Sequence, residues 1–188
     1  MSPAEIRSNT ILPPPLDSET IHWRWIVLAC FIGDVRNNVV CVVEGQSKDW
    51  KREWQTALVF ETLELGEEPD EDSIARALDE ELHLSDRDVI DFISEKGDFL
   101  LSVKRERDMI IFAVKVFLVQ LKEWTKISQV LEKGGEIKER WIRDVASLNW
   151  DTRPGTLLAL SLALDSYPRW DAIPVVHARN GEEVQPNN

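Results

Sequence analysis

The sequence predicts an α/β (α+β) sandwich, and three observations carry that reading. Runs rich in β-branched and aromatic residues recur in both halves of the 188-residue chain. One amphipathic helical pattern interrupts them, and a second, Leu-rich one closes the series. Strands, helix, strands, helix is the order of a layered domain rather than of a helix bundle.

Residues 23–33 and 39–44 read as a hairpin, with Asn37 and Asn38 at its turn. Residues 45–51 read as a polar loop and 54–65 as a third extended segment. Residues 70–82 are a helix. Pro69 and Asp70 suit its start, and Ile74, Leu78 and Leu82 recur every four residues as one apolar stripe. Residues 85–93 lead towards a strand. Residues 99–103 and 109–121 are two more, joined by the charged run 104–108. Gly134 and Gly135 mark a turn, and 139–145 form a strand or a short helix. Residues 156–166 have the apolar density of a closing helix, capped from 151–154. The expected organisation is an irregular arm at 1–19, holding Pro13, Pro14 and Pro15, one domain at 20–168, and a polar tail at 169–188 that frays.

Composition narrows the function. Hydrophobic residues at 43% and charged residues at 30% suit a soluble globular domain long enough to bury a real core. A net charge of −12 repels phosphate backbones at long range, so broad nucleic-acid binding is disfavoured. A small phosphate ligand stays open, because a bound divalent cation reverses the local sign. Cys30 and Cys41 lie in apolar runs and read as buried thiols rather than as a disulfide, and no zinc-type spacing exists. No basic-then-apolar leader is seen, and the run 25–32 is too short to span a bilayer, so the expectation is a cytoplasmic protein without a membrane partner. The eight tryptophans are mainly core material. Trp50, Trp54 and Trp124 stand near loops, where one of them could stack on a base.

The segment 63–84 carries the chemistry. Glu64, Gly66 and Glu67 are followed by Arg76, Leu78, Glu80, Glu81 and Leu84. This arrangement resembles the Nudix box, with one extra residue accommodated at 68–70. The flanking strands, residues 139–141 and the closing helix extend the resemblance over about 23–164. It implies a Nudix-like α/β/α sandwich with a mixed β-sheet. It also implies divalent-metal-dependent hydrolysis of a nucleoside diphosphate-linked or other organic diphosphate. Glu80 and Glu81 would hold Mg²⁺ or Mn²⁺ with help from Glu67 or Glu64, and Arg76 would orient the carboxylates. Spacings of three and four set positions 77, 80 and 81 on one helix face, apart from the apolar stripe.

The chain departs from the box in three places. Ala77 stands where the family carries a metal-binding Glu, and His83 replaces the Gly that closes the helix. Val59, Phe60 and Glu61 replace Pro-Gly-Gly. The missing ligand would have to come from outside the helix, with Glu139 and Asp144 as candidates. The expected partner is a small-molecule diphosphate or nucleotide, with a homodimer left open. The alternative function is a catalytically inactive Nudix-fold module that binds a ligand or a protein, and a different reaction such as an isomerisation is a third option.

Overall fold

The computed structural model describes residues 21, 23–45, 55–64, 66–104, 109–126, 137–142, 145, 148, 152–166, 173–179 and 182–184. The expectations for 1–19, Trp50, Trp54, the Gly134–Gly135 turn and Asp144 fall outside these residues, as does the loop 105–108.

Strand β1 (Trp23–Ile32) is the hub. β2 (Val40–Gly45) meets it antiparallel at Phe31 and Val40. The connection is a 3-10 turn at Val35–Asn37, closed by Asn38 in the left-handed region at φ 53°. The third extended segment resolves into two short strands, β3 (Gln55–Ala57) and β4 (Val59–Thr62). β3 pairs with β2 and β4 with the first half of β1, so this segment changes partner at Leu58. Helix α1 (Glu71–Leu82) follows, then β5 (Ile90–Lys104) and β6 (Met109–Leu121). β7 (Ile137–Ile142), helix α2 (Thr156–Ala163), β8 (Val175–Arg179) and the two-residue β9 (Glu182–Glu183) complete the described elements.

The strands form one mixed sheet in the order β3-β2-β1-β6-β5-β8-β9, with β4 also on β1 and β7 on β2. β1 runs parallel to β6, and β5 parallel to β8. β1 is buried on both faces because a helix covers each. Val27, Ala29 and Phe31 share a core with Ala159, Leu160 and Ala163 of α2. Ile26, Leu28 and Cys30 share the other with Ile74, Ala77, Leu78 and Leu82 of α1. The architecture is the expected α/β/α sandwich. Cys30 and Cys41 lie in the α1-side core, where burial pushes the Cys30 thiol up.

Several local expectations differ from what forms. Residues 90–104 make one strand, not a lead-in and a separate strand. It carries register shifts near Phe92 and Gly97, and the polar residues 94–98 had hidden its continuity. Of residues 139–145, 139–142 belong to strand β7. α2 starts from Gly155 with no side-chain cap. A Cβ at Gly155 would stand 2.8 Å from the Phe99 ring, which is why glycine sits there. The tail expected to fray instead supplies β8, and its Val176 and Ala178 are buried in the α2-side core.

α1 is well bounded. Asp70 accepts from the Ser73 backbone N–H at 2.9 Å, and Ser73 Oγ accepts from the Asp70 N–H at 2.9 Å, a reciprocal cap. At the other end the Leu84 N–H donates back to the Leu78 carbonyl, with His83 left-handed at φ 54°. That conformation costs a side-chain-bearing residue about 1–2 kcal/mol relative to glycine. Leu78 is 1% exposed. Leu78→Ala is expected to lower unfolding free energy by ~2–5 kcal/mol in a denaturant melt. A change smaller than about 0.5 kcal/mol, the range of an ordinary surface substitution, would show that this face of α1 is not packed as described.

Candidate functional site

The loop between β4 and α1 is tied down by one side chain. Glu67 accepts from Arg76 Nη1 at 2.7 Å through Oε1 and from Arg76 Nη2 at 3.0 Å through Oε2. Oε2 also accepts the backbone N–H of Glu64 at 2.8 Å, and the Glu67 N–H donates to the Glu64 carbonyl at 3.0 Å. Gly66, at φ 85°, makes this tight turn in open space, so its conformational freedom rather than its size is what the turn uses. Arg24 on β1 adds a bond from Nη1 to the Glu67 carbonyl at 2.9 Å and reaches Glu68 at 3.2 Å. The Arg76 guanidinium, and then the Glu64 N–H, hold the Glu67 carboxyl below its ordinary range.

Glu61 was missed as a site residue in the sequence, where it counted only as a lost glycine. Alternation along β4 sends Phe60 to the α2 side and Val59 and Glu61 to the α1 side. Glu61 is half-buried, and its Oε1 accepts the Thr62 N–H at 2.9 Å. Burial first, and then the charge of Glu80, raise its pKa, and Arg76 offsets this in part. On the opposite face, Phe60 packs against Trp25 at 5.3 Å between ring centroids, and Trp25 against Phe112 at 4.1 Å. The guanidinium of Arg153, from the segment before α2, lies 4.9 Å from the Phe60 ring centroid. No local sequence pattern pointed to Arg153. Trp124, expected near a loop, is in the turn after β6 and is 59% exposed, with Lys122 Nζ 5.8 Å from its ring centroid.

Among the described residues, the box carboxylates form no group of three. Ala77 is 0% exposed and belongs to the apolar face of α1 rather than to a separate one. The reason is angular: at about 100° per residue, position 77 lies about 60° from Ile74 and position 81 about 20°, while position 80 is about 120° away. Accordingly Glu80 is exposed and Glu81 half-buried. Glu64 is exposed, and both oxygens of Glu67 are engaged by Arg76. His83 is exposed at the helix end. Glu139 lies on β7, opposite Val43 of β2.

A Mg²⁺ or Mn²⁺ ion takes several oxygen ligands, usually with one or more carboxylates. Among the described residues, no three Asp, Glu, His or Cys side chains are grouped to hold one. Glu61 is a carboxylate outside the helix, and it comes into the field of Glu80 and, less strongly, of Glu67, whose oxygens are held by Arg76. Among the described residues, therefore, the side chains do not fit the implied ion, and those of Glu139 and Asp144 lie outside them.

Glu61 and Glu67 titrate in opposite senses. The Glu61 pKa is raised, so its contribution to stability is whole below the ordinary glutamate value of 4.5 and is lost as pH rises through the raised value. The Glu67 pKa is lowered, so its contribution is present above 4.5 and is lost as pH falls through the lowered value. Glu61→Gln is expected to melt above the parent at neutral pH, with that gain gone on the acid side of 4.5. Glu67→Gln is expected to melt below it at neutral pH. Thermal melts at the two pH values check both, and a Glu61→Gln variant that melts lower at neutral pH would contradict this placement.

The solved structures similar to this chain include three with TM-scores above 0.5. They are the E. coli dihydroneopterin triphosphate pyrophosphohydrolase, the NUDIX domain of Shewanella oneidensis NrtR complexed with ADP ribose, and the C-terminal domain of mouse MUTYH in complex with human PCNA. The first is 12% identical with a TM-score of 0.56, over 77% of this chain and 96% of that one. The second is 11% identical with a TM-score of 0.54, over 81% and 94%. The third is 11% identical with a TM-score of 0.54, over 77% and 88%. No protein-family model matches the sequence, and no curated protein matches it. At such identities the likeness is one of architecture, and together with the strand order and the helix-bounded box it establishes that this chain has a Nudix-like fold.

Proposed function

We propose that this chain is a non-hydrolytic Nudix-fold module that works by binding rather than by cleaving a diphosphate. The observation that carries this reading is the state of the box carboxylates. Position 77 is an alanine sealed in the core, and Glu67 is held through both oxygens by Arg76. Glu80 adds negative charge that raises the cost of ionising Glu61. Such a surface, without a divalent ion to reverse its sign, opposes the approach of a diphosphate. Binding is a use this fold serves in the compared structures, where the NrtR domain is complexed with ADP ribose and the MUTYH domain is in complex with PCNA.

The test is phosphate or nucleotide release from ADP-ribose and from nucleoside triphosphates, with Mg²⁺ and with Mn²⁺. The expected result is no turnover above the uncatalysed background. A rate above about one per second, ordinary for an enzyme, would overturn the reading. Ala77→Glu, which restores the family's residue, is expected not to gain turnover. It places a longer, charged side chain in a filled core and should cost about 1–3 kcal/mol in a denaturant melt.

A further inference from the structure

We infer that Cys30 and Cys41, which face each other across β1 and β2 beneath the box helix, are a disulfide-forming site that is oxidised by exchange with a soluble disulfide while α1 is lifted from the sheet. In the structure both are buried thiols. The site goes beyond the reading of a non-hydrolytic module and does not depend on it.

Backbone pairing brings the two together. Phe31 stands opposite Val40 in the antiparallel pair, and the Ile32 N–H donates to the Val39 carbonyl at 3.1 Å in the same register. One step inward along that register, Cys30 stands opposite Cys41. Both belong to the α1-side core, with Ile74, Ala77 and Leu78. Residues directly opposite in an antiparallel pair share a face, with Cα atoms about 4.5–5.5 Å apart. A disulfide spans Cα separations of about 4.4–6.8 Å, so this backbone admits the bond without a change of register. The sheet also forks at this point. β1 pairs with β2 at Phe31 and with β4 over Trp25–Leu28. α1 packs over both branches, on Val43 and Ala57 of one and on Val59 of the other. A bond between Cys30 and Cys41 therefore ties the fork on which the box helix is seated.

Burial decides when the bond can form. Both cysteines are 0% exposed. Cys30 Sγ donates to the Leu28 carbonyl at 3.9 Å, and burial pushes its thiol up. Only the thiolate attacks a disulfide, so the pair is inert while α1 is seated. Opening of α1 admits water and the oxidant. With oxidised glutathione, one cysteine loses its proton to solvent and attacks a glutathione sulfur. One glutathione thiolate leaves, and a mixed disulfide remains. The second cysteine, deprotonated in turn, attacks the protein sulfur of that intermediate and expels the other glutathione thiolate. Two protein thiols are oxidised, one soluble disulfide is reduced to two thiols, and the two protons pass through solvent to the leaving thiolates. The site thereby couples the redox state of the medium to opening of the α1 layer.

The test equilibrates the full chain in glutathione redox buffers, in native buffer and in denaturing urea, starting both from the reduced protein and from protein oxidised in urea. Alkylation under denaturing conditions, followed by intact mass and peptide mapping, reads the fraction with Cys30 linked to Cys41. The fold already holds the two cysteines together, so the equilibrium constant for the linked pair should be at least about tenfold larger in the folded chain than in the unfolded one. A smaller ratio would overturn the proposal, as would mixed disulfides that never resolve to the linked pair. From the reduced side, oxidation in native buffer should be slow, on the order of hours, and should quicken in urea too dilute to unfold the chain. Leu78→Ala, which loosens the seat of α1, should quicken it without urea. A rate that neither change raises would show that α1 does not guard the pair. Should Leu78→Ala not fold, the dilute-urea series on the parent decides the same point. No diphosphate enters these measurements, so turnover by the parent would sink the functional reading and leave this site untouched.

Discussion

Ten consecutive residues of β1 pair with β6 in parallel, and everything else is arranged around that ladder. Parallel neighbours cannot be joined by a tight turn, so the chain between them must travel. It uses the journey to build β2, β3, β4, α1 and β5. A strand so placed has no wet face, which is why residues 26–31 are apolar without alternation and are fully or nearly fully buried. The box helix is carried on this same strand. β4 pairs with it, the Glu64–Glu67 turn continues from β4, and Arg24 of β1 grips the turn from beneath.

Much of this was legible in the sequence, for identifiable reasons. α1 announced itself through Asp70 at its start and the stripe of Ile74, Leu78 and Leu82, since cap and period agreed. The strand at 109–121 was equally plain, being long and rich in β-branched residues. What escaped notice depended on partners far away in the chain. β5 looked interrupted because residues 94–98 are polar. The reasons lie elsewhere, in Lys96 bound to Asp165 beside α2 and in Lys115 bound to Glu95 across the ladder. Position 77 was assigned to a polar face because counting by threes and fours groups it with 80 and 81. The angular position, which decides burial, groups it with 74 and 78. Glu61 and Arg153 gain meaning only from what the fold sets beside them, and neither Glu80 nor Phe60 is a sequence neighbour that announces the relation.

The box holds its loop and helix together through a charge pair. The Arg76–Glu67 pair closes the loop on the helix, with both oxygens of the carboxylate occupied. Such a half-exposed, bidentate pair contributes modest stability but strong orientation. His83 closes that helix. The backbone still makes the left-handed stop that glycine makes easily, and the chain bears the strain of a side chain there.

β8 has a consequence for how this chain can be cut. It adds in parallel to the last five residues of β5 and lays Val176 and Ala178 into the core beside α2. A fragment ending at the polar stretch near 168 would look complete by composition, yet it would bare the outer edge of β5 along Leu100–Lys104. An unpaired edge next to an unfilled apolar slot is a template for the next molecule in solution. The boundary of the folding unit is set by hydrogen-bond pairing, and trimming to the apparent end of the helix would turn a well-behaved sheet into a sticky one.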